Sequence, residues 1–194
     1  MSLQKQIYSV LVVSSAENFN SALLTLLPES KYQPVQVVSN VGTAKRLVAE
    51  RAFDFVFINS PLPDESGTRF AIDLCATRGT VVVLFVKNDI YTGVYDKVAE
   101  HGVFTLPKPT ARVTIQQALH WMASSRERLR KSEKKAVSIE EKMEEIRQVN
   151  RAKWLLISEL KMSETEAHRF IEKQAMDCCI SKKVVAENII KTYT

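Results

Sequence analysis

Short apolar runs rich in β-branched residues recur along the first part of the chain, and helix-like segments separate them. The runs 8–13, 35–38, 55–58, 81–85 and 103–106 predict buried strands. Near-continuous apolar strands are typical of a parallel sheet that is covered on both faces. Helices are predicted near 17–27, 42–51, 67–77 and 90–101, and from Thr110 onward. This alternation predicts an α/β fold, a five-stranded parallel doubly wound (flavodoxin-like) domain.

The chain from Thr110 to about Leu160 contains neither proline nor glycine, which predicts one very long helix. Apolar residues recur along this helix at heptad spacing, and such a stripe predicts a coiled-coil seam. One alternative is that the stripe packs against its own domain. The polar faces of residues 126–135 favour the seam, and therefore a homodimer. The predicted seam residues are Met122, Leu129, Ala136, Ile139, Met143 and Ile146.

Two shorter helices follow Leu160 and complete a small three-helix, all-α domain. Ser163 and Glu166 have the spacing of a capping box at the start of the first of them. Ser181 is placed to cap the last helix. The predicted organisation is therefore a domain at 1–122, a coiled-coil linker helix at 123–137 and a helical domain at 138–194.

Charge and cysteine content narrow the classes of function. The 194-residue chain has a formal net charge of +5, and residues 124–194 hold 16 Lys and Arg against 12 Asp and Glu. A basic excess in this part suits a polyanionic partner, although a solvated helical surface of mixed charge is the alternative. Three cysteines without framework spacing fit a reducing compartment, so a cytoplasmic protein is expected. Neither a signal peptide nor a membrane span is predicted.

No arrangement typical of an enzyme is present in the sequence. We find no glycine-rich phosphate loop, no nucleophile elbow and no cluster of ligands at metal spacing. The adjacent Cys178 and Cys179 have only His168 as a neighbouring ligand in this domain, so we interpret them as small packing residues. We therefore expect no catalytic residue, no metal and no cofactor.

Two motifs in the first domain carry a family resemblance. Leu62-Pro63-Asp64-Glu65-Ser66-Gly67 follows the third predicted strand, and Leu106-Pro107-Lys108-Pro109 follows the fifth. With the five-fold alternation, they make residues 1–122 resemble the receiver domain of two-component response regulators. The resemblance implies a phosphorylation pocket at the carboxyl ends of the strands, which is where such folds bind ligands.

The residues at the pocket positions depart from the receiver pattern. Asn59 lies four residues before Pro63, where the family has its phosphoacceptor aspartate, and an amide is not a carboxylate nucleophile. Uncharged side chains replace the two Mg²⁺-binding acids, although Mg²⁺ prefers anionic oxygen ligands. The resulting pseudo-receiver would take its input from a protein or a small ligand. The predicted degenerate pocket consists of Ser14, Ser15, Asn59, Phe85 (or Val86 if the register shifts by one) and Lys108. Neighbouring acids that would serve as substitutes are Glu17, Asp64, Glu65 and Asp89.

Three pieces of the C-terminal region carry a second resemblance, namely Arg151-Ala152-Lys153, the segment 163–169 and Ala175-Met176-Asp177. They make this region resemble an ANTAR domain, the RNA-binding module of transcription antitermination regulators. The resemblance implies binding to paired hairpins in leader RNA. Side chains suited to phosphate contacts and base stacking are Arg147, Arg151, Lys153, Arg169 and Lys173. Trp154 replaces a small residue of the family pattern, and we expect it to pack against the bundle.

Two alternatives remain open from the sequence. The same helices would suit a DNA-binding regulator, although the last helix lacks a row of base-reading side chains. The second alternative is a protein-interaction adaptor, in which the basic excess has no role in function.

Overall fold

The computed structural model describes residues 6–76 and 79–193 and confirms the predicted α/β architecture of the first part of the chain. One sheet has the strand order β2-β1-β3-β4-β5, and every neighbouring pair is parallel. Its strands are β1 (Tyr8–Val13), β2 (Tyr32–Val38), β3 (Phe55–Asn59), β4 (Val81–Lys87) and β5 (Phe104–Lys108). The connecting helices are α1 (Glu17–Leu24), α2 (Val41–Glu50), α3 (Thr68–Ala76) and α4 (Tyr91–Val98).

Two apolar layers cover the faces of this sheet, which explains why the strands are apolar at almost every position. Val56 and Ile58 face one layer, whereas Phe55 and Phe57 face the other. All four side chains are fully buried. The alternation follows from the two-residue period of a strand, and both of its phases are apolar because both faces are covered.

A single helix, α5 (Arg112–Leu160), continues for 49 residues without a break. The chain divides into two compact units, of which the first ends at Glu133 and the second begins at Lys134. This boundary falls inside the predicted linker, 123–137. Some predicted boundaries lie outside the described residues. They are the ends of the predicted domains, at residues 1–5 and 194, and the predicted end of the third helix, at Thr77.

An ionic network holds the first turns of α5 beyond Met122 on the first unit. Arg126 Nε and Arg130 Nη2 lie 2.7 and 2.9 Å from Oδ1 of Asp54, the residue before β3. Arg130 also pairs with Glu127 at 2.7 Å, and Glu127 accepts a hydrogen bond from the Tyr8 hydroxyl. These contacts explain why the first unit extends to Glu133, about three turns of helix past residue 122.

The structure differs from the predicted seam at its first two positions. Met122 is 1% exposed and belongs to the core that packs on α5, and Leu129 is partly buried against the same core. Heptad spacing alone did not show that these side chains face their own sheet. Ile139, Met143 and Ile146 are exposed.

The second unit contains the end of α5 with α6 (Glu164–Asp177) and α7 (Lys182–Tyr193). The predicted capping box at Ser163 and Glu166 is present. Ser181 Oγ accepts a hydrogen bond from the backbone N–H of Val184, as expected for the cap of α7. The three helices meet around a small apolar core. Among the described residues, no helix is both long and apolar enough to cross a bilayer.

Candidate functional site

Three residues from separate strands meet at the carboxyl edge of the sheet. Ser14 follows β1, Asn59 ends β3 and Lys108 ends β5. Lys108 Nζ donates to Asn59 Oδ1 at 2.6 Å, and Asn59 Nδ2 donates to Ser14 Oγ at 3.0 Å. Ser14 Oγ also accepts the backbone N–H of Ala16 at 3.2 Å. The structure therefore joins three of the five predicted pocket residues in one hydrogen-bonded chain, which we call the pocket network.

The pocket network satisfies its own polar groups. Asn59 is only 6% exposed, so both polar atoms of its amide need hydrogen-bond partners. The oxygen accepts from Lys108 and the nitrogen donates to Ser14. Lys108 Nζ also donates to the backbone carbonyl of Ser60. Burial, and then the charge of Lys87 on the neighbouring strand, hold the pKa of Lys108 below its ordinary value. The lysine thus neutralises no carboxylate here and is instead held by uncharged acceptors.

The remaining two predicted positions do not join the pocket network. Ser15 is exposed. Phe85 pairs in register with Asn59 but is fully buried, and its ring lies 4.9 Å from that of Phe19 in an edge-on contact. Phe85 therefore belongs to the apolar core and not to the pocket network.

Two of the four neighbouring acids are engaged elsewhere. Asp64 accepts the backbone N–H groups of Val41 and Gly42, at 3.1 and 2.9 Å, at the start of α2. Hydrogen bonding from Gly42 is the main reason that the pKa of Asp64 lies below its ordinary value. Glu65 pairs with Lys45 at 3.2 Å. The other two, Glu17 and Asp89, are exposed.

The chemistry of this donor set does not fit the Mg²⁺ site of a receiver. Ser14, Ser15 and Asn59 provide hydroxyl and amide groups where the ion needs anionic oxygen ligands. Within residues 6–76 and 79–193, no cluster of three His, Cys, Asp or Glu side chains is suited to a metal ion. The pocket network is a set of neutral hydrogen bonds with one cation.

The predicted RNA-binding residues occupy three surface clefts of the second unit. The first cleft, of about 360 Å³, is lined by Arg147 and Arg151 together with Lys191 of α7. The second, of about 470 Å³, is lined by Arg169 and Lys173 together with Lys161. Lys161 and Lys191 were not predicted from the sequence, because spacing does not distinguish a lysine near a helix end.

The third cleft, of about 290 Å³, contains Lys153 and Trp154. The expectation that Trp154 packs against the bundle is wrong, since its side chain is 70% exposed while Leu156 fills the core. The aliphatic part of Lys153 is mostly covered, and its ammonium pairs with Glu164 at 3.2 Å. The aromatic ring, rather than the lysine, is the accessible group here.

The two adjacent cysteines also differ from expectation. Cys178 and Cys179 are free thiols and both are exposed, so they are not packing residues. Cys178 caps the end of α6 and Cys179 has a φ of 52°. The turn that ends the helix places them outside the core.

Comparison with known proteins supports the two resemblances separately. Residues 138–190 match the ANTAR domain family. The transcriptional regulatory protein PdtaR of Mycobacterium tuberculosis, in strains CDC 1551 / Oshkosh and ATCC 25618 / H37Rv, is 26% identical over 187 residues. That alignment covers 94% of this chain and 89% of PdtaR.

Solved receiver domains share the fold of the first unit. A signal receiver domain of an HD domain-containing protein from Pseudomonas fluorescens Pf-5 has a TM-score of 0.58 at 21% identity, covering 68% of this chain and 96% of that one. The response regulatory domain of mrkE from Klebsiella pneumoniae has a TM-score of 0.55 at 15% identity, covering 62% and 98%. The chain therefore joins a receiver fold to an ANTAR domain, which is the organisation of an ANTAR response regulator, and the ANTAR family is one of transcription antitermination regulators.

Proposed function

We propose that this protein binds leader RNA hairpins as a homodimer and thereby controls transcription antitermination, with an input that does not depend on phosphorylation and with no enzymatic activity of its own. The observation that carries the RNA-binding proposal is the pair of exposed guanidinium groups in the cleft shared by Arg147 and Arg151. Guanidinium planes bind phosphates bidentately and stack on unpaired bases. Lys191 adds a third cation to that cleft.

These two arginines are available to a polyanion. The Arg147 side chain is exposed, and its ion pair with Glu144 is long, at 3.6 Å. An exposed pair of this kind contributes at most about 1 kcal/mol, so a phosphate would displace the carboxylate at small cost. Glu144 and Glu187 also line the cleft, so its three cations exceed its carboxylates by one charge.

Trp154 supports recognition of an unpaired base. An exposed tryptophan offers a large flat surface, and stacking on an aromatic side chain contributes about 1–3 kcal/mol per base. Asn150 and Lys153 line the same cleft and supply polar groups beside the ring. A duplex keeps its bases stacked on each other, so this arrangement favours RNA loops over double-stranded DNA.

The exposed stripe on α5 supports dimerisation. Ile139, Met143 and Ile146 lie four and three residues apart, which places them on one helix face, and all three are exposed. Exposed apolar residues at this spacing on a charged helix are typical of a coiled-coil seam. The proposed seam begins after Leu129, because Met122 belongs to the core of the first unit and Leu129 packs against that core.

The pocket network supports an input that does not require phosphorylation. Its acceptor position is a neutral amide that already binds Lys108 and Ser14. Incubation of the whole protein with acetyl phosphate and Mg²⁺ tests this. We expect no gain of a phosphoryl mass by intact mass spectrometry, and a hydroxylamine-labile adduct on the first 133 residues would contradict the proposal.

Gel-shift titrations test the RNA function. Full-length protein is titrated against a short RNA with two hairpins and against duplex DNA of similar length over a range of salt concentrations. We expect tighter binding to RNA, with a salt slope that falls by about 0.7 for each lost phosphate contact in Arg147→Gln and Arg151→Gln. Tighter binding to duplex DNA would favour a DNA-binding regulator, and binding to neither would favour a protein adaptor.

A further inference from the structure

A cavity of about 450 Å³ opens beside β5 in the first unit. β5 is an edge strand, so its peptide groups on the side away from β4 have no partner strand. The volume falls within the range of about 300–1,000 Å³ that is typical of small-molecule sites. The cavity shares no lining residue with the pocket network, so it is a separate feature of the fold.

The lining includes Thr105, at the second position of β5, which is 8% exposed. Its hydroxyl oxygen is itself buried, so a ligand in the cavity would not reach it.

The charged groups of the lining favour one sign of charge on a ligand. Arg128 of α5 is exposed and forms no ion pair with another described residue. His101 also lines the cavity, with its Nε2 at 3.5 Å from Glu100. None of the described lining residues carries a carboxylate, so the cavity favours an anion.

The apolar side chains of the lining favour a ligand that also has an apolar portion. Tyr95 of α4, Phe104 of β5 and Leu129 of α5 supply apolar surface. Burial of apolar surface contributes roughly 25 cal/mol per Å², so a ligand with a ring or a branched chain would gain from contact with these side chains.

We propose that this cavity binds a small organic carboxylate with an apolar body, with its charged group at Arg128 and its apolar body against Tyr95, Phe104 and Leu129. Such a ligand would contact β5 and the segment of α5 that continues past Met122. Occupancy would therefore hold this segment of α5 on the first unit, which makes the cavity an input site for a receiver fold that has lost its acids. This inference goes beyond RNA binding and does not depend on it.

Benzoate, cyclohexanecarboxylate and isovalerate are the probes, and benzamide is the neutral match to benzoate. Binding to the full-length protein is measured by saturation-transfer NMR and by the shift in Tm. We expect at least one carboxylate to bind with a Kd of about 1 mM or tighter and to raise the Tm, and benzamide to bind about tenfold more weakly than benzoate.

Two variants and one control locate the binding. Arg128→Gln is expected to weaken carboxylate binding about tenfold, and His101→Gln, at the other basic residue of the lining, to weaken it less. Lys131→Gln alters an exposed cation of α5 that does not line the cavity, and it should bind as the unaltered protein does. Binding of no carboxylate, equal binding of benzamide, or binding that neither variant weakens would overturn the proposal. RNA affinity is not among the measurements, so these outcomes do not bear on the antitermination function.

Discussion

Lys108 donates a 2.6 Å hydrogen bond to Asn59 Oδ1, so the one cation of the pocket network is bound to a neutral amide. The same amide donates to Ser14, and the pocket network is thereby closed without an anion. The pocket network therefore holds its one cation through neutral oxygen atoms alone.

Replacement of Asn59 by alanine should destabilise the first unit. The change leaves a half-buried ammonium without its side-chain acceptor, and hydrogen bonds to charged groups contribute about 1.5–3 kcal/mol. We expect the free energy of unfolding in urea to fall by this amount. Asn59→Asp, which keeps an acceptor for Lys108, is the control and should lose less. If both variants lose equally, the lysine contact is not what stabilises this position.

Asp54 should make stability depend on pH below about 4. Burial alone raises the pKa of Asp54, but the hydrogen bonds from Arg126 and Ser9 and the charge of Arg130 outweigh it, so the folded pKa lies below the ordinary value of 3.8. The unfolded chain therefore binds the proton more readily. The stabilisation is complete above the unfolded pKa and is lost as the pH falls through the folded pKa.

Asp54→Asn measures this contribution at pH 7. The three side chains of Asp54, Arg126 and Arg130 are mostly but not fully buried, so we expect a loss of about 2 kcal/mol, between the values of exposed and buried pairs. The variant should also show a flatter dependence of unfolding free energy on pH between 7 and 3. Glu65→Gln, which breaks the exposed pair with Lys45, is the control and should cost under about 1 kcal/mol.

Gly79→Ala should destabilise the same region. Gly79 has a φ of +94°, and an added Cβ would lie 2.5 Å from Glu133 Oε1 and 3.2 Å from the Arg126 guanidinium. We expect a loss of about 1–3 kcal/mol in chemical denaturation, because the backbone is strained and the ion pair must move. Gly93→Ala in α4 meets no atom within 4 Å and should instead stabilise by about 0.5–1 kcal/mol. Equal effects at both glycines would contradict this account.

Trp154→Ala should weaken RNA binding without unfolding the second unit. The lost stacking is expected to reduce affinity by about tenfold in the two-hairpin gel shift. Thermal unfolding should change little, because the ring is largely exposed. Trp121→Ala, at another exposed tryptophan of α5, is the control and should bind RNA as the unaltered protein does. A large loss of Tm in Trp154→Ala would show that the ring supports the fold.

Glutamate at the exposed stripe should separate the dimer. The variant carrying Ile139→Glu and Met143→Glu places like charges at the proposed seam, and we expect it to sediment as a monomer at concentrations where the unaltered protein is dimeric. Val113→Glu alters another exposed apolar residue of α5 and should leave the mass unchanged. A dimer that persists in the seam variant would place the interface elsewhere.

The sequence by itself determined the order of elements and the chemistry of the pocket. A strand that is apolar at every position has to be covered on both faces, so the five runs specified a parallel sheet with helices on each side. Asn59 and Lys108 were identified from their spacing to Pro63 and Pro109. This worked because the end of a strand and the loop that follows it are close along the chain. Helix caps such as Ser163 are local interactions, and they were also predicted correctly.

Tertiary structure alone decided which faces are covered. Met122 and Ile139 share a heptad pattern, yet one fills the core of the first unit and the other is exposed. Periodicity gives a residue its helix face but does not say what packs on that face. Arg126 meets Asp54 across 72 positions of sequence, and Thr105 comes to line a cavity with Arg128, through contacts that form only when the sheet and α5 are packed together. The burial of a side chain is a property of the whole fold, so a sequence pattern predicts it only where neighbouring residues in the chain are also the neighbours in space.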